Sequence, residues 1–162
     1  MKIKKPYFWD LQKPNILSYF LLPFTAPIIL NNLLLKFKKK EIFEDIKTIC
    51  VGNIYVGGTG KTPLAIKLSQ IIEKLNYKTC VIKKYYKTQS DEQKLIKNNT
   101  KLYCFKKRII ALKEAIKDGI SVALFDDGLQ DSSINYDIKF ICFNNAKGIG
   151  NGFVIPAGPL RE

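Results

Sequence analysis

Residues 48–68, TICVGNIYVGGTGKTPLAIKL, constrain this chain more than any other stretch. A short apolar run gives way to a turn carrying Gly57, Gly58 and Gly60, then Lys61 and Thr62, then residues at helical spacing. Backbone N–H groups can wrap an anionic phosphate only where no Cβ intrudes, and the N-terminus of the following helix adds partial positive charge. The pattern predicts the strand–loop–helix of a phosphate-binding P-loop, with Lys61 reaching the β- and γ-phosphates of a nucleotide and the Thr62 hydroxyl on Mg²⁺. Counting back from Gly60, Tyr55 stands where G-x-x-x-x-G-K-[ST] has its first glycine. Pro63 is compatible with the helix, because its missing N–H falls in the first turn, where that donor has no intrahelical partner.

Beyond the loop, Leu64, Ala65, Leu68, Ile71, Ile72 and Leu75 recur at the spacing of one buried helix face, and Asn76 reads as a helix stop. Short β-rich runs at 78–83, 102–105, 121–125 and 138–143 follow, with a helix over 108–118 closed by Gly119 at C′. Alternation of this kind predicts an α/β fold, a P-loop NTPase-like and mostly parallel sheet covered by helices. At 162 residues and 46% hydrophobic, the chain supports one core domain. We expect an N-terminal membrane-associating segment over 1–46 and the nucleotide-binding α/β domain over 47–162. The Gly- and Pro-rich tail at 148–162 reads as a loop with one short strand. A chain that stops there looks unfinished.

The N-terminal segment opens with Lys2, Lys4 and Lys5 and the aromatics Tyr7, Phe8 and Trp9. It carries no charge from Pro14 to Leu35, then meets Lys36, Lys38, Lys39 and Lys40. Its length suits a transmembrane span, but Pro23 and Pro27 are expected to break the helix and Asn31 and Asn32 interrupt the apolar run. A membrane-interfacial helical segment is the favoured reading, with lysines on anionic headgroups; a spanning helix and a core helix stay open. A cleaved signal peptide would send a nucleotide-binding domain away from ATP. The net charge of +13 attracts anionic surfaces of any kind and does not choose among nucleotide, nucleic acid and lipid. With no histidine in the chain, acid–base and metal chemistry falls to carboxylates, lysines, hydroxyls or a bound metal. Cys50, Cys80, Cys104 and Cys142 lack C-x-x-C spacing and read as core residues in a reducing cytoplasm, with metal binding the alternative.

Asp126 and Asp127 directly follow four apolar strand residues. Alone they read as an Asp-Gly turn; beside a P-loop they take the Walker B position, holding Mg²⁺ directly or through water. Asp91 and Glu92 lie in an expected loop after the second strand. Ser90 and Gln93 have capping-box spacing there, so a helix start competes with a catalytic role.

Together these motifs resemble the tetraacyldisaccharide 4′-kinases, the lipid A 4′-kinases. The resemblance rests on VGNIYVGGTGKTP at 51–63, DDGLQ at 126–130, GNGF at 150–153 and PAGPLRE at 156–162, with looser agreement in FW at 8–9 and LLP at 21–23. It spans essentially the whole chain and about half of a typical family member, whose C-terminal domain is absent. It implies a kinase at the cytoplasmic face of the inner membrane that moves the γ-phosphate of ATP to the 4′-hydroxyl of a lipid A disaccharide precursor. Its implied partners are that precursor and the anionic membrane surface, not nucleic acid; its cofactors are ATP and Mg²⁺. By this resemblance Tyr55, Val56, Gly57, Gly58, Thr59, Gly60, Lys61 and Thr62 cradle ATP, and Thr62, Asp126 and Asp127 serve the metal. Asp91 falls on the aspartate of the family's Gly-Asp-Glu-Pro motif, implied as the base that takes the hydroxyl proton, with Glu92 beside it at the metal. Where the family carries Ser-Arg-Gly-Tyr-Gly-Gly, this chain has Lys83, Lys84, Tyr85, Tyr86, Lys87 and Thr88; the family's histidine after DDG-x-Q is Asp131. The rival expectations are a truncated, catalytically incomplete nucleotide- and membrane-binding fragment, and an unrelated P-loop NTPase.

Overall fold

A computed structural model describes residues 5–162, so Lys2 and Lys4 lie outside the described residues. The chain divides into two compact units. One gathers the N-terminal stretch to Lys38 with Asn53–Thr59 and Phe143–Glu162; the other comprises Lys39–Gly52 and Gly60–Cys142.

In the first unit, the Asn15 side chain accepts from Ser18 N at 2.9 Å and caps helix α1 (Ile16–Leu21). A 3-10 turn (Leu22–Thr25) leads into α2 (Ala26–Lys36). As expected, Pro23 and Pro27 interrupt the α-helix, which ends at Leu21 and restarts at Ala26, but the 3-10 turn between keeps the path helical. Each proline sits in the opening positions of its own helical segment, where a lost N–H forfeits no bond. The run Ile16–Lys36 is 21 residues long with a mean hydropathy of 1.5, enough to cross a membrane by length and composition alone. With only 11% of its apolar window buried, it is not a core helix within the described residues. The tail forms no extended strand but isolated bridges, Asn144 with Gly148, Tyr55 with Leu160 and Val154 with Leu160. One buried amide organises it: Asn151 Nδ2 donates to Ser18 Oγ and to Ala157 O, each at 3.0 Å, and to Phe8 O at 3.3 Å. Its Oδ1 accepts from Phe153 N at 3.1 Å.

The second unit runs β1 (Lys47–Gly52), α3 (Lys61–Lys74), β2 (Thr79–Lys84), a 3-10 turn (Lys87–Gln89), α4 (Ser90–Asn99), β3 (Leu102–Phe105), α5 (Arg108–Lys117), β4 (Val122–Asp126) and β5 (Ile138–Ile141). The strands form a parallel sheet in the order β3-β2-β4-β1-β5. Strands covered on both faces bury nearly every residue, which is why β1, β2 and β4 read as continuous apolar runs. Alternate residues feed two cores. Cys50, Cys80, Ile82, Ala123 and Phe125 pack with Ala111, Leu112 and Ala115 of α5; Ile49, Val81, Val122 and Leu124 pack with Ile66 of α3 and Ile96 of α4. Gly119 closes α5 at φ +68° and Asn76 follows α3 at φ +65°, both left-handed as their positions require. The fifth strand ends at Ile141, short of the expected Phe143. Helix α4 begins at Ser90, so of the two readings of this stretch, a loop around Asp91 and Glu92 or a helix start, the helix start is the one realised.

Candidate functional site

Strand register decides which side chains meet at the carboxyl edge of the sheet. Val51 of β1, Asp126 of β4 and Lys83 of β2 are successive cross-strand partners. Asp126 is fully buried, and a buried carboxylate persists only where cations and donors compensate its lost hydration. Thr62 Oγ1, in the first turn of α3, donates to Asp126 Oδ2 at 2.9 Å; Lys83 Nζ donates to the same oxygen at 2.6 Å. Asp126 Oδ1 is buried with no hydrogen-bond partner. Lys83, itself 4% exposed, also donates to Glu92 Oε2 at 2.7 Å. Burial works against its ammonium, but the charges and hydrogen bonds of Asp126 and Glu92 outweigh that and raise the Lys83 pKa.

The next residue, Asp127, turns the chain at φ +59°, a conformation aspartate tolerates better than most side chains. Its N–H donates to Val51 O at 2.8 Å and its carboxylate lies 3.7 Å from Lys61 Nζ. Arg108, buried at the start of α5, locks this turn by donating from Nη2 to Asp127 O at 2.7 Å, while its Nη1 lies 3.4 Å from Asp131 Oδ2. Gly128 has no room for a side chain: a Cβ there would meet Tyr136 Oη at 2.9 Å and Cys50 Sγ at 3.1 Å. Arg108 and Lys83 were not among the sequence-based candidates. A lysine ending a buried strand run was the available signal for Lys83; nothing local marks Arg108.

In the first unit, Asn53 Nδ2 shapes the loop by donating to Tyr55 O at 2.5 Å and Gly57 O at 3.2 Å. Tyr55 is 2% exposed, and its hydroxyl bonds Asp10 while Lys5 lies over its ring. Burial and the Asp10 charge push this phenol up to about 12. The tyrosine thus fits where a glycine was expected because its side chain is absorbed into the interior of its own unit. Val56 N donates to Pro159 O at 2.9 Å. Gly57 takes φ +144° and the Thr59 hydroxyl is buried without a partner. Gly60, opening the second unit's helix α3, takes φ +76°. No heavy atom lies within 4 Å of a Cβ built at Gly58 or Gly60, so the space beside this backbone is open, as a phosphate cradle requires.

Asp91 is exposed in the first turn of α4 and accepts from Ser90 Oγ at 3.4 Å. The expected capping box does not form. The 3-10 turn carries Ser90 into a helical backbone (φ −57°, ψ −37°), so it cannot serve as the extended cap, and Gln93 Nε2 bonds Tyr86 O at 2.8 Å instead.

The orphaned Asp126 Oδ1 and the Thr62 hydroxyl are hard oxygen donors that suit Mg²⁺. Among the described residues, no group of three or more His, Cys, Asp or Glu converges as a closed cage. Mg²⁺ in phosphoryl-transfer sites uses one or two carboxylates and takes its other ligands from water and phosphate, so an open set of this kind fits it.

A tetraacyldisaccharide 4′-kinase of Pelagibacter ubique is 57% identical over 164 residues, covering 100% of this chain and 51% of the relative. One from Rhodopseudomonas palustris is 31% identical, covering 98% of this chain and 52% of the relative. The chain therefore spans about half the length of these curated relatives. A crystal structure of LpxK from Aquifex aeolicus in complex with ATP shares the fold, with a TM-score of 0.72 at 23% identity, over 91% of this chain and 55% of that one. The family model for LpxK, tetraacyldisaccharide-1-P 4′-kinase, matches residues 17–162, and this chain belongs to that family.

Proposed function

We propose that this chain carries the ATP-binding and phosphoryl-transfer chemistry of a lipid kinase. Its reaction moves the γ-phosphate of ATP to the 4′-hydroxyl of the tetraacyldisaccharide 1-phosphate precursor of lipid A, at the cytoplasmic face of the inner membrane. The observation that carries this reading is the meeting of Lys61, Thr62, Asp126 and Asp127 at one edge of a parallel sheet, with a buried Asp126 oxygen left for a ligand. Residues 55–60 wrap the phosphates through backbone N–H groups, and Lys61 exchanges its Asp127 partner for the β- and γ-phosphates. Thr62 and Asp126 would hold Mg²⁺, with Asp127 and Glu92 near it, and the ion would supply charge neutralisation at the phosphates. Asp91, exposed beside Glu92, accepts the proton of the attacking 4′-hydroxyl and returns it to solvent. Little covalent work falls to the protein, so positioning and charge supply most of the acceleration.

The apolar segment supports the membrane part of the reading. Ile16, Phe20, Phe24, Leu34 and Phe37 are exposed on it, and Lys36, Lys38, Lys39 and Lys40 follow, a pairing suited to an anionic lipid interface. A second reading, nucleotide and membrane binding without turnover, draws on the coverage of about half of the relatives.

The test is transfer of labelled phosphate from ATP to the tetraacyldisaccharide 1-phosphate by this chain. Lys61→Ala is expected to lower transfer by about 10³-fold or more. Lys61-dependent ATP binding without transfer would select the second reading. ATP hydrolysis that ignores the lipid would sink both.

A further inference from the structure

Lys83 places a cation where the proposed metal carboxylates meet. It is the strand neighbour of Asp126, its side chain is only 5% exposed, and its Nζ lies 2.6 Å from Asp126 Oδ2 and 2.7 Å from Glu92 Oε2. Thr62 Oγ1 takes the same Asp126 oxygen. Of the two Asp126 oxygens, then, one is committed to donors and one is open. Exposed Glu92 can turn to water, but the ammonium has no such freedom within a buried strand. A divalent ion approaching Asp126 meets this fixed positive charge at short range, in surroundings that screen it far less than bulk water does.

We propose that Lys83 is a positioning residue, the internal counter-cation of Asp126 and Glu92, so that the nucleotide-free chain lacks a strong divalent-metal site and takes up the metal only together with the nucleotide. The phosphates bring the negative charge that lets ammonium and metal share one carboxylate. Without them, Lys83 already satisfies Asp126 and keeps the edge of the sheet from collapsing around an unpaired charge. The inference rests on reading Asp126 as a metal carboxylate.

Mn²⁺ titration of the nucleotide-free chain, followed by electron paramagnetic resonance of the free ion, tests it. The wild-type chain should show no tight site, and Lys83→Met should bind Mn²⁺ about tenfold or more tightly than wild type. Millimolar Mg²⁺ should raise the melting temperature of Lys83→Met and leave that of wild type and Lys83→Arg unmoved, a response that a merely structural ion pair would not give. Should Lys83→Met be unfolded without metal, recovery of its fold in Mg²⁺ supports the proposal and failure to recover counts against it. A micromolar Mn²⁺ site in the nucleotide-free wild type that disappears in Asp126→Asn overturns the idea, as does unchanged affinity in folded Lys83→Met. Mn²⁺-dependent ATP binding by the wild type, lost in Lys61→Ala, separately checks the nucleotide-site reading on which the inference rests, and the phosphate-transfer assay above decides turnover.

Discussion

The unit built on the sheet buries Ile49, Cys50, Val51, Val81, Ile82, Leu124 and Phe125 in a dry core, whereas the unit of the N-terminal stretch, 53–59 and the tail buries few large apolar side chains, among them Phe8, Tyr55 and Leu160. Polar clamps dominate the latter: Asn151 to Phe8, Ser18 and Ala157, Trp9 Nε1 to Pro156 O at 3.0 Å, and Asn32 Nδ2 to Arg161 O at 2.9 Å. Its apolar residues face outward instead, Ile16 and Phe37 being 89% and 87% exposed. Burial of apolar area drives the first kind of unit; directional hydrogen bonds between distant chain segments define the second. Outward apolar residues of this kind are compatible with the lipid interface proposed above.

The largest effect should come from the sheet core. Phe125→Ala removes a fully buried ring that packs on Tyr136 at 4.9 Å between centroids, and should lower unfolding free energy by about 3–5 kcal/mol in urea titration. A loss below about 1 kcal/mol would mean that the two units are not distinguished by apolar packing.

Asn151→Ala sharpens the comparison from the other side. It should cost about 2 kcal/mol and speed amide exchange in residues 5–38 and the tail, with sheet amides still protected. Equal loosening of both units would break the distinction.

Acid should act on the polar unit through Asp10. Partial burial alone would raise its pKa, but hydrogen bonds from Lys147, Lys5 and Tyr55 and the Lys5 charge hold it far below the usual aspartate range. A depressed folded pKa means stability that is full above the ordinary aspartate value of about 3.9 and is lost as pH falls through the folded value. Trp9 is the single tryptophan and lies in this unit, so its fluorescence should report an acid transition that Asp10→Asn removes. An unaltered transition in that variant would assign the acid sensitivity elsewhere.

The smallest effect concerns thiols. Burial pushes Cys50 and Cys80 up to about 12 and raises half-buried Cys104 and Cys142 less completely. A thiol reagent at pH 8 should therefore label Cys104 and Cys142 well before the other two. Mass spectrometry of the labelled chain checks the order, and early labelling of Cys50 or Cys80 would show that the sheet core opens readily.

Much of the sheet unit was legible because its signals are local. The apolar runs, the period of α3, Gly119 after α5 and the acids after β4 each record what one short segment needs. Helix α4 was legible only at its start, where the spacing of Ser90 and Gln93 and the acids Asp91 and Glu92 suit a first turn; its length was not, because polar residues dominate it and Ile96 is its one fully buried apolar anchor. The division of the N-terminal helix at Pro23 and Pro27 was legible, but not that the path stays helical across it. Proline breaks a helix interior but opens a new turn without loss, and which of these occurs depends on where the segments divide.

The sequence by itself determined the strand–glycine loop–helix with Lys61 and Thr62, the carboxylates that follow a buried strand, and the apolar N-terminal segment, because each is written in neighbouring residues. Tertiary structure alone decided that Lys83 stands beside Asp126, that Arg108 clamps the Asp127 turn, and that the tail joins the N-terminal stretch around Asn151. These contacts join residues 19 to 133 positions apart. Strand order and burial bring them together, and neither is encoded in the period of any single segment.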